Sequence, residues 1–82
     1  MNSTNANDTF LVGQSYLFGE SGLEMNETLA LEWLSRAAEA DHPRATGLVA
    51  FIHWRGIGVE KDMGKAITLF EAVTLSIIGE SD

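Results

Sequence analysis

The sequence predicts an all-α fold, two antiparallel helix hairpins stacked as an α–α superhelix. Three observations lead there. Apolar residues recur at spacings of three and four through most of the chain, and no strand-like alternation persists. Glycines break these patterns at intervals suited to short helices. Two stretches also repeat one design 36 residues apart: Gly22-Leu23-Glu24-Met25-Asn26-Glu27-Thr28-Leu29-Ala30 and Gly58-Val59-Glu60-Lys61-Asp62-Met63-Gly64-Lys65-Ala66.

Each element follows from local chemistry. Residues 1–7 are polar or small after Met1 and read as a flexible lead-in. Asp8 or Thr9 is expected to cap a first helix running to Phe18, with Phe10, Val12, Gly13, Tyr16 and Leu17 at helical spacing. Gly19 ends it, and Leu23 tucks under the following turn. Asn26 caps a second helix over residues 27–40, whose packed stripe is Ala30, Trp33, Leu34, Ala37 and Ala38. Glu32 and Arg36 are placed for an i,i+4 ion pair worth about 0.2–0.5 kcal/mol.

Asp41 is the expected cap of a third helix, residues 43–55, with Pro43 in the first turn, where a missing amide costs nothing. Ala45, Leu48, Val49, Ala50, Phe51, Ile52 and Trp54 make it the most apolar of the four, so it should be buried on most sides. Gly56 and Gly58 form the next turn, Val59 plugs it, and Asp62 caps a fourth helix carrying Ala66, Ile67, Leu69, Phe70 and Val73. That helix continues to Gly79, leaving residues 80–82 as a tail. The domain expected is residues 8–79, in units 8–44 and 45–79.

Composition narrows function. Net charge is −7, divided as −5 over residues 1–35, +1 over 36–65 and −3 over 66–82. Nucleic acid binding is driven by clustered bases, so it is not expected; a basic protein partner is compatible. With no cysteine, disulfides and thiolate sites are excluded. The first residues carry no secretion signal and no stretch spans a membrane, which makes the cytoplasm the expected compartment.

The two units align residue by residue. Val12, Gly13 and Tyr16 match Val49, Ala50 and His53; Gly19 matches Gly56. Gly22, Leu23, Asn26 and Ala30 match Gly58, Val59, Asp62 and Ala66, and Trp33-Leu34 matches Leu69-Phe70. Over about residues 8–75 this pattern resembles the Sel-one-like repeat family, relatives of tetratricopeptide repeats. The second unit holds that family's Gly56-Ile57-Gly58-Val59 turn, Asp62 and Lys65-Ala66. The first holds Val12-Gly13-Gln14-Ser15-Tyr16, Gly19 and Trp33-Leu34-Ser35-Arg36-Ala37-Ala38-Glu39. Departures are His53 for the usual Tyr, Leu29 for Lys, and Val73-Thr74-Leu75 for Ala-Ala-Glu. The resemblance implies a right-handed stack of hairpins that binds proteins; some bacterial members serve in toxin immunity.

No reaction chemistry is legible. Gly56-Ile57-Gly58 lacks the third glycine and the strand of a dinucleotide loop. His42 and His53 do not make a metal set, and His53 is expected to be hydrogen-bonded in the core in the family's Tyr slot. Ser15, Ser35 and Ser76 have no activating His–Asp pair. Glu20, Glu24 and Glu27 do not match a calcium loop and read as a charged turn that steers a partner. No cofactor and no metal are expected, and no enzyme.

The resemblance also places the first helix of each hairpin on the concave face. Gln14, Leu17 and Phe18, matching Phe51, Trp54 and Arg55, would then face a partner. Aromatic groups beside an arginine suit an interaction hot spot, while Phe51 and Trp54 serve equally as core. Leu75, Ile77 and Ile78 leave an apolar end with no polar cap: they fold back, pair with a second copy, or meet another protein. The function expected is a non-catalytic adaptor or inhibitor. The alternatives are an acidic immunity protein against a nucleic-acid-binding enzyme or toxin, and a self-assembling repeat unit, for example a homodimer through the C-terminal helix.

Overall fold

Four helices in two hairpins follow one another in chain order: α1 (Ala6–Phe18), α2 (Glu27–Glu39), α3 (Pro43–Arg55) and α4 (Met63–Gly79). The computed structural model describes residues 5–79, with side chains through residue 75. No strand occurs among the described residues. Each helix packs chiefly on its neighbours in the sequence. The fold measures 41 × 36 × 16 Å. Its short dimension is less than two helix diameters, so every helix keeps a face toward solvent.

The duplication is geometric as well as sequential. Gly19 and Gly56 both adopt left-handed backbone, at φ 69° and 72°. In each case the next amide donates back to the carbonyl five residues earlier, Glu20 to Ser15 at 2.8 Å and Ile57 to Ile52 at 3.0 Å. This is the Schellman closure, which satisfies carbonyls left open at a helix end. The chain then returns to the first helix: Asn26 N–H donates to the Tyr16 carbonyl and Asp62 N–H to the His53 carbonyl, both at 2.9 Å. Asn26 Oδ1 accepts from Leu29 N and Asp62 Oδ1 from Lys65 N, both at 3.0 Å. Caps satisfy amides that lack helical acceptors. The extra residue of the first turn is absorbed by Ser21, itself at φ 57°.

Two expected caps are corrected. α1 begins at Ala6, because Asn5 Oδ1 accepts from Asn7 N at 2.8 Å. Asp8 and Thr9 lie inside the helix, Thr9 is buried, and residues 5–7 form its cap and first turn, not part of the lead-in. At the middle joint Asp41 does not cap α3. It sits at φ 64° and closes α2, with Asp41 N–H donating to the Ala38 carbonyl at 3.0 Å and His42 N–H to Ala37 at 3.2 Å. Aspartate tolerates this left-handed position better than most residues. His42 is the cap instead: its Nδ1 accepts from Ala45 N at 3.2 Å. Its ring stacks on Phe10, with centroids 4.6 Å apart, and Nε2 lies 3.2 Å from Asn7 Oδ1.

The core joins large and small side chains. Phe10, Leu34 and Ile52 are its largest fully buried members, set among Ala30, Ala37 and Ala45. A Cβ at Gly13 would fall 2.7 Å from Leu34 Cγ, so α1 and α2 approach as closely as they do only because residue 13 has no side chain. α3 has Ala45, Val49, Ala50, Ile52 and His53 buried, but Trp54 and Arg55 remain exposed. Its cover comes chiefly from α2 and α4, with Arg44 in its first turn reaching over the Phe10 ring of α1. On α4, Ala66 is the one buried residue among the described side chains. The ion pair expected between Glu32 and Arg36 does not form: Arg36 lies over the Trp33 ring, 5.4 Å from its centroid.

Candidate partner-binding surface

α3 presents one composite surface at its C-terminal end. Phe51 and Trp54 are three residues apart and therefore neighbours on one helix face. Their centroids are 5.9 Å apart at 57°. Arg55 turns over both rings, with its guanidinium carbon 5.9 Å from the Phe51 centroid and 5.7 Å from that of Trp54. Such contacts hold a cation over the negative faces of the rings. They also fix a long side chain in place, which lowers the entropy lost when a partner binds. Trp54 keeps 40% of its surface exposed, and Phe51 is half-buried.

The equivalent positions on α1 divide. Phe18 is 50% exposed and Gln14 is half-buried. Leu17, also expected to face a partner, is only 6% exposed and belongs to the core. It lies on the stripe Phe10–Gly13–Leu17, at spacings of three and four, which packs against α2. Trp54 holds the same register on α3 but stays open. The structure thus brings Phe51, Trp54 and Arg55 into one cluster, leaves Phe18 and Gln14 at matching positions on α1, and removes Leu17.

Glu20, Glu24 and Glu27 are all exposed around the first turn and the start of α2. Glu27 lies in the first turn of α2, where the helix dipole favours a negative charge. Its Cβ would be 2.8 Å from a Cβ on Gly58, so the second turn seats directly against it. Among the described residues no group of three or more His, Asp or Glu is placed to hold a metal ion. No helix among the described residues is long and apolar enough to cross a membrane.

His53 departs from expectation. It is buried, yet its Nδ1 has no hydrogen-bond partner. Burial, and then the nearby Lys65, hold its imidazole below the ordinary 6.5, with Asp62 opposing. An unpaired buried nitrogen is costly, and a charged ring there would be costlier.

Of the C-terminal residues expected to fold back or self-pair, Leu75 is 68% exposed. The side chains of Ile77 and Ile78 lie outside the described residues. Sequence reasoning missed that α4 opens earlier, at Met63, Ile67 and Phe70. The available signal was that α4 is the outer helix of the second hairpin.

A stack of helical hairpins of this kind belongs to the class of helical-repeat scaffolds. The model of the Sel1 repeat matches residues 9–42 and 43–72, and the chain belongs to the Sel1 repeat family. One curated relative, the ERAD-associated E3 ubiquitin-protein ligase component HRD3A of Arabidopsis thaliana, is 40% identical over 54 residues. That match takes in 66% of this chain and 8% of HRD3A. A Sel1 repeat protein from Oxalobacter formigenes superposes with a TM-score of 0.84 at 26% identity, over 88% of this chain and 29% of that one. The chain therefore spans a small part of either relative. Sel1 repeat proteins generally mediate protein–protein interaction on a non-catalytic fold.

Proposed function

We propose that this chain is a small adaptor or inhibitor that acts by holding another protein against the open end of α3. Phe51, Trp54 and Arg55 anchor that partner, and Phe18 and Gln14 extend the contact along α1. The observation that carries this reading is the Arg55 guanidinium held over two partly exposed aromatic rings. Arginine and tryptophan are the residues most often found at binding hot spots. Trp54→Ala, measured by affinity capture and titration with the captured partner, should weaken binding by at least tenfold while thermal unfolding changes little. Loss of the fold together with binding would make Trp54 core and overturn the assignment.

A second reading is an acidic immunity or inhibitor protein against a basic enzyme or toxin. It is favoured by the net charge of −7 and by three exposed glutamates around one turn. Exposed charges act through association rate and are screened by salt. Affinity for such a partner should fall steeply between low and physiological salt; a flat response would reject it.

A further inference from the structure

The equivalence of the hairpins identifies α4's open face. On α2 three of the four residues of the line Glu27, Leu31, Leu34, Ala38 are at least partly buried: Leu34 fully, Leu31 and Ala38 in part against the core, while Glu27 is exposed but seats its Cβ against the Gly58 turn. Thirty-six residues on, the same line on α4 is Met63, Ile67, Phe70, Thr74, and all four are exposed. Their spacing of four, three and four is the alternation of a coiled-coil seam. Ile67, Phe70, Glu71 and Thr74, with Leu75, also line an open apolar notch of about 490 Å³. Those first four sit at i, i+3, i+4 and i+7, the arrangement that receives one side chain from a facing helix.

We infer that this seam binds the α4 of a second copy, antiparallel, across a two-fold axis. The seam is self-complementary in that direction. Ile67 of each copy layers with Phe70 of the other, Met63 layers with Thr74, and Ile67 enters the opposite notch. Charge selects the same occupant. The chain carries −7, but residues 63–75 hold one Lys and one Glu, so this face itself adds little to the repulsion between copies. Among the described residues the only charge flanking the seam is Glu71, and the antiparallel register sets it across from Gly64 instead of its own counterpart. An isologous contact of this kind closes at a dimer.

The test is the mass of the intact chain by sedimentation equilibrium. Mass should rise with concentration from 8.9 kDa to a plateau at twice that value. Ile67→Asp, at an exposed position, should keep its helical circular dichroism and remain a monomer. Gly64 gives a register-specific check, because a Cβ there meets nothing closer than 3.7 Å. Gly64→Lys should tighten the dimer several-fold by facing Glu71, and Gly64→Glu should loosen it several-fold. Helix-dipole effects run the opposite way, so monomer stability cannot mimic this order. Trp54→Ala should leave the mass unchanged, which separates this seam from the α3 surface. A single monomer at every concentration, masses growing beyond the dimer, or the same response to Gly64→Lys and Gly64→Glu would overturn the inference.

Discussion

Gly58→Ala, compared with Gly22→Ala, isolates the contact between the two hairpins. Both glycines have positive φ, 72° and 82°. An L-residue pays about 1–2 kcal/mol for that conformation, offset by about 0.4–1 kcal/mol from a stiffer unfolded chain. Gly22 has open space around it, so its substitution should cost about 1 kcal/mol. Gly58 is different, because the new Cβ would lie 2.8 Å from Glu27 Cβ. Both atoms are fixed to backbone, so the turn and the start of α2 must separate. Overpacking of this kind costs about 1–3 kcal/mol more. Urea unfolding followed by circular dichroism should therefore show Gly58→Ala losing about 2–4 kcal/mol, at least twice the loss for Gly22→Ala. Equal losses would mean that the second turn does not seat against α2, and the stacking of the hairpins would be refuted.

Asp41→Gly should stabilise the domain by up to about 1 kcal/mol, since a left-handed C-terminal position strains any side chain; a lower melting temperature would show that Asp41 makes a contact worth more than the strain. His53 sets a pH dependence. Its folded value lies below the ordinary 6.5, so the unfolded chain takes up the proton first as pH falls. The stability linked to this group is complete above pH 6.5 and is lost as pH drops below that value toward the folded one. His53→Gln should flatten that part of the urea midpoint against pH, and parallel profiles for the two proteins would contradict the assignment. Leu34→Ala, at a fully buried site, should cost about 3 kcal/mol in the same assay. A loss below about 1 kcal/mol would place Leu34 outside the core.

Much of the architecture was legible because it rests on local chemistry. Gly19, Gly56 and Gly58 supply positive φ, Asn26 and Asp62 are strong caps, and Pro43 marks a first turn. Where several residues compete for one role, sequence does not choose. Asn5, Asn7, Asp8 and Thr9 can all cap a helix, and the burial of Thr9 within α1 decides for Asn5. Asp41 suits either a left-handed closure or a cap, and the stacking of His42 on Phe10 brings that ring to the cap position. Leu17 and Phe18 are adjacent apolar residues, and only packing on α2 separates buried from open. The cluster of Phe51, Trp54 and Arg55 was legible as a set, because their spacing puts them on neighbouring positions of one helix. How Arg55 divides itself between the two rings was not. The exposure of α4 is set by packing between helices, which no local pattern encodes.

The most direct measurement is hydrogen–deuterium exchange of the chain with and without a captured protein partner, at one fixed concentration of the chain. Binding at the α3 surface predicts added protection over residues 51–55 and the adjoining turn, with a smaller effect at the end of α1. Protection confined to α4, or spread evenly over the fold, would contradict it.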